Sequence, residues 1–187
     1  MSALAFRPAG AGDIARLHRL IESAYRGDAA RRGWTHEADL LDGQRTDATE
    51  LSALVANPAR VLLMAEQEGG LIGCVQVADL GDGLGYLGML TVDPERQAGG
   101  LGRELLEAGE AWARDRFGAR AMEMTVIARR RELIAWYERR GYALTGETRP
   151  FPMDDPRSRR TLDGSDWMGT VNASGEVRVT AKWLGVE

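Results

Sequence analysis

The residues best suited to chemistry stand in one string, Val92-Asp-Pro-Glu-Arg-Gln-Ala-Gly-Gly-Leu-Gly-Arg-Glu-Leu-Leu106, in which glycines open a periodic apolar run. At the start of a helix the first N–H groups have no intrahelical partner, and the helix dipole favours an anion there. Glycines let a ligand come close to the backbone. The pattern therefore suits a phosphate or pyrophosphate, although a tight turn without a ligand satisfies the same spacing.

Three glycine-loop patterns compete for this string. A P-loop needs Gly-Lys-Ser/Thr, and here Gly102 is followed by Arg103-Glu104. A dinucleotide fingerprint needs Gly or Ala three residues after Gly102, where the chain has Leu105; Glu123 does stand about 20 residues on, as the ribose-binding acid would. The loop over 92–100 is also too long for the tight turn of that motif. The third pattern, Gln/Arg-x-x-Gly-x-Gly/Ala, is met by Gln97-Ala98-Gly99-Gly100-Leu101-Gly102.

Elements that would position these residues are legible on both sides. A strand is predicted over 86–92 before the loop. A strongly amphipathic helix follows over 100–117, with Leu101, Leu105, Ala108, Trp112 and Ala113 on one side and Gly118 as its stop. A strand over 121–127 and a helix over 130–140, closed by Gly141, come next. In the first half, a strand over 4–7 stopped by Pro8 precedes a helix capped by Asp13, with Ile14, Leu17, Leu20, Ile21, Ala24 and Tyr25 on its apolar face. A long connection over 26–46, with one helical turn over 37–41, leads to a short helix over 47–56. Apolar runs over 60–66 and 71–79 flank Gln67-Glu-Gly-Gly70, a hairpin signal. A strand begins at Tyr142, a long loop covers 153–174, and a last strand is predicted over 176–184, where Val177, Val179, Ala181 and Trp183 alternate with polar residues. Hairpins first and β-α-β units later imply an α/β fold of the α+β type: a mixed, mostly antiparallel sheet with helices on both faces, in a single domain over 1–187.

Composition narrows the partners. The chain has 187 residues, 44% hydrophobic and 28% charged, as an ordinary globular domain does, which argues against disorder. Its net charge of −4 argues against nucleic acid as a bulk partner and reads most simply as a solubility charge. The single cysteine, Cys74, excludes an internal disulfide and reads as a small core residue within a strand rather than a nucleophile. His18 and His36 are too few and too far from Cys74 for a zinc site, so no metal is expected. No run is long and apolar enough to span a membrane and no signal peptide opens the chain, so a cytoplasmic protein is expected.

Leu90-Thr91-Val92, the loop from Gln97 to Gly102, and Trp136-Tyr137-Glu-Arg-Arg-Gly141-Tyr142 together resemble the GNAT (GCN5-related) N-acetyltransferases, with one helix and one strand between the two motifs as in that family. The resemblance is best over 71–145. It implies acetyl-CoA as co-substrate, with its pyrophosphate on Gln97, Ala98, Gly99, Gly100, Leu101, Gly102 and Arg103. The pantetheine arm would lie along Leu90, Thr91 and Val92 as an added strand. It implies attack of an amine on the thioester, with Tyr137 protonating the departing thiolate; as a plain residue, Tyr137 would be a core aromatic beside Ile134 and Tyr142. A backbone N–H near Met89 or Leu90 would hold the oxyanion. Glu123 is a candidate base, through water, or else a solvated carboxylate. Many members carry Asn where this chain has Arg130, which would contact a CoA phosphate or simply line a solvated helix start in place of the usual Asn role.

The acceptor side would include Tyr25, Trp34, Arg45 to hold an acceptor carboxylate, and Glu37, Asp39 and Asp42 to hold an amine, or these form an ordinary polar loop. The acceptor is expected to be a primary amine of a small molecule, and the protein a monomer or homodimer without nucleic-acid or membrane partners. Two other classes stay open: a non-catalytic CoA-binding sensor or structural subunit on the same fold, and a nucleotide-binding α/β protein, against which Leu105 and the long loop speak.

Overall fold

Burial on both faces is written into the second strand. Val61, Leu63 and Ala65 join one apolar cluster, Leu62 and Met64 join another, and all five are buried. A strand covered on both sides reads as a continuous apolar run rather than an alternating one. The computed structural model describes residues 4–25, 44–128, 130–150 and 176–184.

Among these residues are seven strands, β1 (Ala5–Pro8), β2 (Arg60–Gln67), β3 (Gly70–Asp79), β4 (Leu84–Val92), β5 (Ala121–Ile127), β6 (Ala143–Pro150) and β7 (Glu176–Trp183). They form one sheet in the order β1-β2-β3-β4-β5-β7-β6. Every neighbouring pair is antiparallel except β4 with β5. The mixed, mostly antiparallel sheet expected from the sequence is what forms. Four helices cover it: α1 (Ile14–Tyr25), α2 (Ala48–Ala56), α3 (Leu101–Phe117) and α4 (Arg131–Glu138). Helices α1 and α2 pack on the face of Leu62, Met64, Cys74 and Met89. Helices α3 and α4 pack on the face of Leu63, Val75, Leu87, Met122 and Met124. Gly73 lets α3 approach closely: a Cβ there would stand 2.7 Å from Leu105 and 2.9 Å from the Thr91 carbonyl.

Local chemistry sets the boundaries. The β2–β3 hairpin turns through Glu68 and Gly69, both at positive φ, as a two-residue turn that follows strand twist requires. Asp47 caps α2, accepting from the Glu50 N–H at 2.8 Å. Asp13 behaves differently from the helix cap predicted for it. Its carboxylate turns back to the Gly10 N–H at 2.9 Å and takes a two-pronged contact from Arg7, with both bonds at 2.8 Å. Arg7 also reaches Glu66, as does Arg16, so one ion network joins β1, the start of α1 and β2. Pro8, predicted to stop the first strand, is its last residue, which an edge strand tolerates because Pro only lacks a donor.

The last third departs most from the linear reading. β6 runs to Pro150, well past the predicted start at Tyr142, and β7 lies between β5 and β6, antiparallel to both. The joint is held by a buried group: Glu110 of α3 accepts from Lys182 Nζ of β7 at 2.8 and 3.0 Å and from Tyr142 Oη at 3.0 Å. The predicted turn over 37–41, the loop over 153–174 and Trp34 lie outside the described residues. No helix among the described residues is long and apolar enough to cross a membrane.

Candidate active site

Strands β4 and β5 pair through only three rungs, Leu84↔Ala121, Gly85↔Met122 and Tyr86↔Glu123, although both continue beyond them. The cause lies on the other side of β4. There Gln76 pairs with Gly88 and Cys74 with Thr91, so Met89 and Leu90 together stand opposite Val75. This bulge bends and twists its strand. Met89 takes a φ of 50°, an uncommon conformation for a residue with a side chain and one that gathers at functional sites. Thr91 Oγ1 donates to the Met89 carbonyl at 2.9 Å and secures the bulge from within the core.

The parted strands open a cavity of about 150 Å³, lined by residues 87–90 of β4, 124–127 of β5, and by Tyr25, Arg45, Tyr86, Arg130, Leu133 and Tyr137. Tyr137 is 5% exposed. Its ring is fixed by edge contacts with Trp136, at 4.9 Å between centroids, and Tyr142, at 5.7 Å. Burial first, and then the neighbouring Tyr25 and Tyr86, push its phenol well above the ordinary value, against a smaller opposing effect of Arg130 and Arg140. The hydroxyl therefore keeps its proton at neutral pH.

The other lining groups are held by short contacts. Tyr25, the last residue of α1, donates through Oη to the Leu90 carbonyl at 2.7 Å. The Arg45 guanidinium lies 5.3 Å from the Tyr25 ring centroid, and the Arg45 N–H donates to Glu22 Oε1 at 2.7 Å. Tyr86 Oη and Thr125 Oγ1 meet at 3.2 Å, a side-chain link between β4 and β5 beyond their last rung. Arg130 is the N-cap residue of α4.

At the far end of β4 the chain makes a 3₁₀ turn, Pro94–Gly99, with the Asp93 side chain accepting from the Glu95 N–H. Gly100 then takes a φ of 81° as the cap of α3, a left-handed conformation that glycine adopts without strain. The cap has no side-chain hydrogen bond, and a Cβ placed on Gly99 or Gly100 would meet nothing within 4 Å. Gly102 is tucked against Val92 and Trp136, which joins the loop to the helix carrying Tyr137. The exposed Arg103 pairs with Glu107 at 3.5 Å.

The structure thus brings Tyr25, Arg45, Leu90 and Tyr137 to one cavity. Gly99, Gly100, Leu101, Gly102 and Arg103 form a loop beyond the end of the same strand, in the stretch that also holds Gln97 and Ala98. Thr91 and Val92 are buried in the sheet rather than open to the cavity. Glu123 is buried on the last β4–β5 rung and does not line the cavity. Cys74 is fully buried, and burial pushes its thiol up to about 12, which fits a core residue and not a nucleophile. Tyr86 was not singled out from the sequence. Its signal was Gly88 two residues on: a Cβ on Gly88 would stand 2.9 Å from the Tyr86 ring, so the glycine makes room for it.

A model of the acetyltransferase (GNAT) family matches residues 15–142, and one described as EcpD C-terminal domain matches 121–181. No curated protein matches the chain. Among solved structures it is similar to the Salmonella typhimurium protein yncA, solved with its cofactor acetyl-CoA, at 17% identity and a TM-score of 0.68, covering 100% of this chain and 96% of that one. The ribosomal-protein-S18-alanine N-acetyltransferase of Escherichia coli is similar at 16% identity and a TM-score of 0.67, covering 99% and 96%. A GNAT-family acetyltransferase of Streptococcus pneumoniae follows at 17% and 0.65, covering 98% and 100%. These likenesses share the fold, and since the family match spans more than half of the sequence, the chain belongs to the acetyltransferase (GNAT) family.

Proposed function

We propose that this chain moves an acetyl group from acetyl-CoA to the primary amine of a small molecule by direct attack. The observation that carries the reading is the placement of Tyr137: a buried, protonated phenol on a cavity between two parted strands, one of which leads into a glycine loop open to a ligand.

The residues present fit acetyl-CoA. Beyond Tyr86, β4 has no ladder partner in β5, so its edge suits an extended pantetheine arm paired through Leu90 and Val92. The uncapped start of α3, with Gln97 to Arg103 around it, suits the pyrophosphate. In the reaction the amine nitrogen bonds to the acetyl carbon and the C–S bond breaks. Tyr137 Oη gives its proton to the departing sulfur, and the amine gives up one of its own. The backbone N–H of Met89 or Leu90 at the bulge would meet the oxyanion. Glu123 would receive the amine's proton only through water, since it lies at the rung below the cavity.

Two measurements test the reading. Calorimetry should find acetyl-CoA binding in the wild type and its loss in Gly99→Glu, which adds a negative charge in open space without backbone strain. Tyr137→Phe should keep acetyl-CoA binding and lose about a hundredfold in kcat on an amine panel. A folded wild type that does not bind acetyl-CoA would overturn the proposal.

A further inference from the structure

The cavity beside Tyr137 holds two guanidinium groups from different parts of the chain: Arg45, just before α2, and Arg130, at the start of α4. Among the described residues that line it there is no carboxylate. Arg45 is braced against the Tyr25 ring and its backbone is tied to Glu22, so its position is set before any ligand arrives. A guanidinium has five N–H donors in a planar fork, so each arginine can keep a protein contact and still offer a pair of donors to a ligand.

We infer that the acceptor carries a carboxylate close to its amine, and that Arg45 and Arg130 seat this carboxylate at the cavity. The inference rests on the acetyl-transfer reading. A carboxylate can take two parallel N–H···O bonds from a guanidinium fork, which a purely cationic acceptor cannot, so an amino acid brings the group that these donors match.

The test takes a panel of α-amino acids and β-alanine, each with its carboxamide and its decarboxylated amine, and measures kcat/KM with acetyl-CoA. The carboxamide has the most acidic ammonium of the three, so a preference for the acid over it cannot come from the supply of free amine. At least one acid should be preferred over both analogues by about tenfold or more, as a lost charge-assisted pair implies. Arg45→Gln should bring the acid and carboxamide within about twofold while leaving acetyl-CoA binding by calorimetry unchanged, which also shows that the variant folds. Arg130→Gln should lower the same ratio. The inference is overturned if a decarboxylated amine is the best acceptor, if no acid is bound or acetylated, or if Arg45→Gln slows acid and carboxamide equally. It is also overturned if Arg130→Gln weakens acetyl-CoA binding and leaves the acid-to-carboxamide ratio intact, which assigns that arginine to CoA. Loss of acetyl-CoA binding in the wild type would instead overturn the acetyl-transfer reading beneath it.

Discussion

The hydroxyl of Tyr25 donates a 2.7 Å hydrogen bond to the carbonyl of Leu90, joining the last residue of α1 to the bulge of β4. One side chain thus holds the strand in its bent course and also supports Arg45 through its ring. Tyr25→Phe keeps the ring and removes only the bond. We expect a loss of about 1 kcal/mol in stability and about fivefold in kcat/KM for the acceptor, with acetyl-CoA binding little changed. Urea unfolding and steady-state kinetics on the same preparation check both.

Tyr137 and Tyr142 are both held above the ordinary phenol value of about 10, each chiefly by burial, and Tyr142 also by Glu110. A folded-state value above the unfolded one means that the neutral phenol favours folding. Its contribution is complete below about pH 10 and is lost as pH rises toward the folded value. An ultraviolet titration of phenolate should therefore find Tyr137 and Tyr142 silent until the chain unfolds in base. Removal of either residue as Phe should leave one. Ionisation of either in a folded protein would contradict the geometry.

Glu110 is 8% exposed and bonded to both Lys182 and Tyr142. Glu110→Ala strands the ammonium against α3, and we expect a cost of about 3 kcal/mol. For a chain of this size that lowers Tm by about 2–4 °C per kcal/mol. Glu110→Leu combined with Lys182→Met should recover part of the loss, because the unpaired charge is gone while the buried Tyr142 hydroxyl still lacks its acceptor. Calorimetric Tm values of the single and double variants decide this.

Asp13 is held well below the usual carboxylate range, first by the hydrogen bond from Arg7 and then by the Gly10 N–H. The depressed folded value means that its contribution is present above about pH 4 and is lost as pH falls below that. Asp13→Asn should weaken the protein at neutral pH by about 1 kcal/mol and flatten the acid limb of stability, read from urea midpoints across pH.

Much of this molecule could be read from residue order. The apolar face of α1, the hairpin at Gln67-Glu-Gly-Gly70 and the strand over 121–127 all rest on local patterns, and they form where those patterns place them. The glycine loop was legible for the same reason, since positive φ and an uncapped helix start are properties of a few consecutive residues. The position of β7 was not legible, because strand order depends on a long-range pairing that its alternation does not encode. Asp13 misled because the helix-cap pattern ignores Arg7, which reaches it from the neighbouring strand. The bulge at Met89 was hidden as well: a strand one residue longer than its partner looks like any other strand until the two are aligned.

The parting of β4 from β5 creates something unusual in the middle of a sheet, a pair of internal rims. Open strand rims generally invite another chain to add itself and so begin aggregation. Here the rims run over 87–92 on β4 and 124–127 on β5, and each of the two strands is still paired on its opposite side, β4 with β3 and β5 with β7. Tyr86 and Thr125 bridge the gap at its base, and α1 and α4 stand beside it. A neighbouring protein's strand would meet a gap closed at its base and flanked by helices, which suits a slender, extended small molecule better. The same geometry that withholds hydrogen-bond partners from the backbone thus also limits what can add itself at this gap.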